Sequence, residues 1–244
     1  MSHWPEFFVH WTASLGLNYG FLLDAYQRGT LAHGALTTLW LCLLTIIGSL
    51  LTGVGLAALL TSGKPALAVP ARVFIEVTRN TPTLVQLYCA FLVLNMLLNQ
   101  AVGTANPLTP FAWVVIVISL HKGAFHAEAL RAGIEAVPNV TLEAARSLAF
   151  SRRQLLWNVQ LPLALRFALP SLINNLIDLV KMTAVASAIA VGDITYSAIM
   201  IWTQSDNVLE LMILLLGFYG LLSFIVNCVG RYLEARLRMP GYGH

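Results

Sequence analysis

The sequence predicts an all-α integral membrane protein with about five transmembrane helices. Three observations lead there. Charged residues make up only 10% of the 244 residues while 58% are hydrophobic, against roughly 25% charged in an ordinary soluble domain. A soluble globule of this length would lack polar cover, and a disordered or low-complexity chain would not be so apolar. Asp, Glu, Lys and Arg are absent from residues 29–63, 80–121 and 211–230. These runs are continuously apolar rather than alternating, which favours helices over the strands of a membrane barrel. A hydrocarbon core of ~30 Å takes about 20 helical residues, so the first and last runs hold one span each and the middle one has room for two.

Residues 1–29 read as an extracytoplasmic, interfacial lead-in, because Trp4, Phe7, Phe8, Trp11 and Tyr19 are aromatic types that settle at headgroup level. No basic n-region with a short apolar core and small-residue cleavage site is found there, so no cleaved signal peptide is expected. The first span is placed at 34–60. The second and third fall at 83–99 and 109–124, separated by turn chemistry at Gly103, Asn106, Pro107 and Pro110. A fourth is placed at 168–200, a fifth at 208–230, and residues 236–244 form a tail. Span four is interrupted by Asp178, Lys181 and Asp193, and charges at membrane depth cost about 2.5 to 3.5 kcal/mol each unless they face protein or water. Two readings of them stay open: Asp178 and Lys181, three apart, pair on one helix face, or this helix lines a substrate path.

Basic residues set the orientation. Lys64, Arg72 and Arg79 follow span one, Arg131, Arg146, Arg152 and Arg153 lie between spans three and four, and Arg231, Arg236 and Arg238 close the chain, whereas the opposite side carries only Arg28. The positive-inside rule puts the amino terminus outside and the carboxyl terminus in the cytoplasm. Cys42, Cys89 and Cys228 are isolated in apolar runs, and the histidines, His121 and His126 included, lack metal-ligand spacing, so no metal site is expected. Gly63 and Lys64 are followed by Pro65 and lack the upstream glycine of a phosphate-cradling loop, so the chain is read as a non-enzyme with no catalytic residue.

The segment between spans three and four carries the chemistry. Glu128, Arg131 and Glu135 share one face of a helix that Pro138 ends, and a second helical stretch begins near Thr141. It runs through Glu143, Ala144 and Ala145 to a turn at 149–151, and then to Val159, Gln160, Leu161 and Pro162. Small side chains at 144 and 145 allow another backbone to approach, and Glu143 and Arg146 offer charges to a partner. Leu148, Leu155 and Leu156 are apolar groups able to fill a groove. Composition alone favours a solvated loop that merely connects spans.

These residues resemble the cytoplasmic signature of the permease subunits of binding-protein-dependent ABC importers: Glu-Ala-Ala, three residues, Gly, nine residues, Ile, any residue, Leu-Pro. Glu143, Ala144, Ala145, Val159, Leu161 and Pro162 match in order and spacing, with Val for Ile, while Ala149 stands at the Gly position. If a positive φ is required there, Ala is costly, and either the turn is built differently or Ser151 takes part. Two further blocks, Glu76 to Gln86 and Ala127 to Gly133, together with Leu179 to Thr183, look like the polar amino-acid branch, the glutamate/aspartate, histidine and glutamine permeases. The resemblance covers about residues 30 to 238.

The resemblance implies a type I ABC importer permease fold, with a permease domain at 30–235 and a coupling loop at 139–162. It implies an ATP-binding subunit dimer that holds ATP and Mg, so that this chain needs no cofactor of its own. It also implies a second permease subunit, identical or homologous, and a periplasmic or extracellular amino-acid-binding protein. Membrane lipid surrounds the chain in a bacterial inner membrane, and nucleic acid is no partner. Glu143, Ala144, Ala145, Ala149, Leu161 and Pro162 would couple to the ATPase. Arg79, Asn80, Gln86, Lys181, Met182 and Thr183 are candidates for the substrate pathway, with Lys181 or Arg79 meeting a carboxylate, although Arg79 is read first as a partner of Glu76. The branch often has Asp after the span-four Lys, where this chain has Met182, which favours acidic or neutral substrates over cationic ones. Two other classes compete: an ion-coupled secondary transporter, which would show an internal repeat, and a non-transporting membrane scaffold.

Overall fold

The structure, a computed structural model, describes residues 4–102 and 106–237. The expected turn residue Gly103, the basic residue Arg238 and most of the predicted tail lie outside the described residues. Every regular element among the described residues is a helix, and five are long and apolar enough to cross a membrane: Ala25–Leu60, Thr83–Val102, Pro110–Glu135, Arg152–Ile189 and Val208–Leu237.

Helix α1, Trp4–Ala13, leads into α2, Ala25–Leu60, through a short turn. The lead-in is anchored rather than loose: Phe8 meets Tyr19 edge-on at 5.3 Å, and Tyr19 packs with Phe21 at 5.7 Å. Exposed Phe7 and Trp11 are left on the other side of α1. α2 starts nine residues before the predicted span because Asp24 caps it, accepting the Tyr26 N–H at 2.9 Å. Pro65 opens α3, Pro65–Arg79, whose buried Ala71, Ile75 and Thr78 recur at helical spacing against α2 and α6.

The second span is α4, Thr83–Tyr88, a π-helical turn, Cys89–Leu94, and α5, Asn95–Val102, in one run. Thr109 and Pro110 start α6, Pro110–Glu135, which continues beyond the predicted end at 124 and packs against α2, α3, α4 and α9. The α2–α6 contact is the most extensive in the fold and is built on small residues. A Cβ on Gly53 would lie 2.6 Å from His126 Cβ, and one on Gly123 would lie 2.6 Å from Thr52 Cβ. Both His126 ring nitrogens and Ser119 Oγ are buried there without a hydrogen-bond partner among the described residues, so the seam is held by close packing.

After α7, Asn139–Ser147, a second long run begins with α8, Arg152–Leu155, passes through a π-helical turn, Leu156–Gln160, and continues as α9, Leu161–Met182, and a 3-10 extension, Thr183–Ile189. The span expected at 168–200 is therefore two elements. The chain ends the run at Ala190, with φ 58, and restarts as α10, Ile194–Ser205. The Val191 N–H bonds to the Ala186 carbonyl at 3.3 Å and the Ala190 N–H to that of Ser187 at 3.1 Å, a left-handed helix stop occupied by Ala. Asp193, fully buried, is the cap that explains its charge at this depth: its Oδ1 accepts the Tyr196 N–H at 2.8 Å. The short α10 lies against α2, where Thr38 Oγ1 accepts the Ile194 N–H at 3.0 Å. α11, Val208–Leu237, closes the bundle against α9, and its Glu210 accepts the Asn18 N–H at 2.7 Å.

Candidate functional site

Two sites stand out, a charged strip along α6 and α9 and the helical loop between them. The strip follows one face of α6 at successive three- and four-residue steps, Lys122, Phe125, Glu128, Arg131 and Glu135. Arg131 is clamped between carboxylates, with Nη2 2.6 Å from Glu128 and Nη1 2.5 Å from Glu135. Arg79, at the end of α3, lies 4.0 Å from Glu128 and places its guanidinium 5.2 Å from the Phe125 ring. The Lys122 ammonium is 4.9 Å from the same ring, so one aromatic ring joins two cations. Lys122 then pairs with Asp178 of α9, whose other oxygen is 3.7 Å from Lys181.

Two pairings therefore differ from the expected ones. Arg79 turns to Glu128, and Glu76 instead takes Asn80, which donates Nδ2 to the Glu76 carbonyl at 2.8 Å and to its carboxylate at 3.3 Å. Asp178 does approach Lys181, but shares itself with Lys122. Lys122 lies inside the expected third span, and its charge there was the only signal that could have found it, because its partner is 56 residues further on.

The other pathway candidates divide by availability. Lys181 is exposed, with 55% of its side chain open, and Met182 is half-buried. Gln86 is held by the fold: its Nε2 donates to the Thr78 carbonyl at 2.8 Å, and its Oε1 lies 3.1 Å from His121 Nδ1. The other His121 nitrogen is 2.9 Å from Thr83 Oγ1. Thr183 is fully buried, donating to the Val180 carbonyl at 2.7 Å beside Cys42. Arg79, Asp178 and Lys181 are thus exposed, while Gln86, His121 and Thr183 are held by hydrogen bonds within the fold.

In the loop, α7 exposes Glu143 and Ala144 but turns Ala145 inward, to 6% exposure. Ala149 adopts φ 60, and the bonds from Phe150 N–H to Ala145 O at 3.3 Å and from Ala149 N–H to Arg146 O at 2.9 Å form the same left-handed stop as at Ala190. The turn is not built differently, and Ser151 does take part. Ala takes the left-handed conformation, and Ser151 caps α8 by accepting the Gln154 N–H at 3.3 Å while Gln154 Oε1 accepts the Ser151 N–H at 2.9 Å. A left-handed L-residue costs roughly 1–2 kcal/mol, partly offset in Gly by lost chain entropy. Ala149→Gly is thus expected to stabilise the loop by about 1 kcal/mol, seen as slower proteolysis between α7 and α8 with unchanged global melting. Leu161 is half-buried at the start of α9, and Pro162 directly follows the π-helical turn inside the continuous run Arg152–Ile189.

The description of the binding-protein-dependent transport system inner membrane component family matches residues 46–239. The glutamine transport system permease protein GlnP of Escherichia coli is 32% identical over 209 residues, covering 86% of this chain and 93% of that protein. The L-cystine transport system permease protein TcyB of Bacillus subtilis is 34% identical over 166 residues, 68% of either chain. Among solved structures, an amino acid ABC transporter crystallised with histidines superimposes with a TM-score of 0.78 at 29% identity, covering 88% of this chain and 98% of that one. An inward-facing MetNI methionine ABC transporter shares the fold, with a TM-score of 0.69 at 16% identity over 88% of this chain and all of that one.

Proposed function

The chain belongs to the binding-protein-dependent transport system inner membrane component family, and on that premise we propose that it is the permease subunit of an ABC importer for a polar amino acid, acidic or neutral rather than cationic. The observation that carries the reading is the strip of paired charges along α6 and α9, open at Arg79, Asp178 and Lys181, beside a loop that exposes Glu143 and Ala144. Ionisable groups on membrane-spanning helices are expected to line a polar solute's path. Relatives named for glutamine and cystine support the amino-acid class.

In this reading a separate ATP-binding subunit dimer holds ATP and Mg and hydrolyses the nucleotide. A second permease subunit, identical or homologous, completes the path, and an external binding protein delivers the ligand. Nucleotide-driven closure draws the coupling loops together and switches access, as a rigid-body transition biased by a ligand that binds one state better. The distribution of basic residues supports an amino terminus outside and a carboxyl terminus in the cytoplasm.

The test is uptake by the complete transporter reconstituted in proteoliposomes, with unlabelled glutamate, glutamine and arginine as competitors. Uptake should require ATP, and glutamate or glutamine should compete at least about ten-fold better than arginine, a difference of about 1.4 kcal/mol. Arginine as the best competitor would remove the substrate class, and uptake driven by an ion gradient without ATP would remove the importer.

A further inference from the structure

Lys122 is the buried cation that this reading leaves without a role. It is 2% exposed on α6, within a membrane-spanning helix, and its ammonium rests on Asp178 of α9. An ammonium so placed needs a carboxylate. That carboxylate is not equally buried: 53% of the Asp178 side chain is open, and Lys181, 3.7 Å away on the same helix, is open to 55%. One carboxylate therefore serves two ammonium groups, a hidden one that has no other anion within pairing distance among the described residues and an exposed one. Further along the strip Arg79 and Arg131 are matched by Glu128 and Glu135. The positive charge left over belongs to the Lys122–Asp178–Lys181 group, and its exposed member is Lys181.

Building on the importer reading, we propose that Lys122 is a specificity-determining residue: by engaging Asp178 it leaves the Lys181 ammonium to a substrate carboxylate and makes this wall select amino acids of net negative charge, the dicarboxylic ones. Without Lys122, Asp178 and Lys181 would be left to each other at helical i, i+3 spacing and the wall would be neutral. With it, a cationic side chain meets an unmatched positive charge, a neutral amino acid meets Lys181 with its one carboxylate, and a dicarboxylic amino acid brings a second anionic group into the same field.

The experiment measures binding of labelled L-glutamate, L-glutamine and L-arginine to the purified complete transporter carrying unmodified chain, Lys122→Arg, Lys122→Gln, or Lys122→Gln with Asp178→Asn. The unmodified chain and Lys122→Arg should prefer glutamate. Lys122→Gln should lower the glutamate-to-glutamine affinity ratio at least about ten-fold, and the double variant, which frees Lys181 again, should restore it to within about three-fold. A ratio unchanged in Lys122→Gln overturns the assignment. So does a uniform loss for all ligands that the double variant repeats, because that is the signature of a pair with a packing role only. If the unmodified chain prefers arginine, the acidic-or-neutral substrate class falls and this assignment with it, and binding of none of the three overturns the assignment.

Discussion

Glu143→Arg combined with Ala144→Trp is expected to reduce ATP-driven uptake by about a hundred-fold or more while the chain still folds and reaches the membrane. Both side chains are exposed on α7. Charge reversal removes any charge-assisted bond Glu143 makes to the ATPase, and an indole at 144 holds the two surfaces apart. Losing a docking contact of about 2.7 kcal/mol corresponds to that hundred-fold. The result is read as loss of the copurified ATPase subunit with an unchanged melting curve of the permease. Full retention of ATP-driven uptake would refute the docking role. Ala145→Trp makes the informative contrast: Ala145 faces inward, so its enlargement should lower the stability of the loop itself and not act as a clean docking variant.

The second large effect is expected at Gly53. There is no room for a side chain: its Cβ would lie 2.6 Å from His126 Cβ, 3.3 Å from the Gly123 carbonyl and 3.4 Å from the Ala127 N–H nitrogen. Two of those three neighbours are backbone, so the helices must separate rather than a rotamer move. Overpacking a close interface costs typically 1–3 kcal/mol and more where backbones collide, and α2–α6 is the widest contact of the bundle. Gly53→Leu should therefore abolish the folded permease in detergent, while Gly55→Leu, two residues along with nothing within 4 Å, should be nearly silent. Equal behaviour of the two variants in size-exclusion and thermal unfolding would show that the seam does not hold the fold.

The membrane spans were legible because bilayer thickness imposes a length, and charge-free runs report it directly. The interruption at Ala190 was not, because Asp193 just beyond it reads as a charge within one span and an alanine, not a glycine, occupies the left-handed stop. Asp193 could be seen as a charge in a span but not as a helix cap, since the helix it caps becomes visible only once the preceding one has ended. The helices of the loop between α6 and α9 were legible to within a few residues, α7 starting at Asn139 against the expected Thr141, yet the inward turn of Ala145 depends on how α7 lies on the following segment. In the strip, the Glu128, Arg131 and Glu135 face was legible because it is local. Lys122 with Asp178 and Arg79 with Glu128 join separate helices, and no spacing rule reaches across them.

The π-helical turn at Leu156–Gln160 joins the coupling segment to α9 without a break. Such a turn accommodates one residue more than an α-helix of the same rise, and one residue is about 100° of helix rotation. In the proposed importer, the face offered to the ATPase and the face offered to the solute are therefore set in phase by this single register shift. Deleting one residue from 156–160 would leave both surfaces chemically intact and rotate one against the other, a transporter with every contact group present and its two halves out of time.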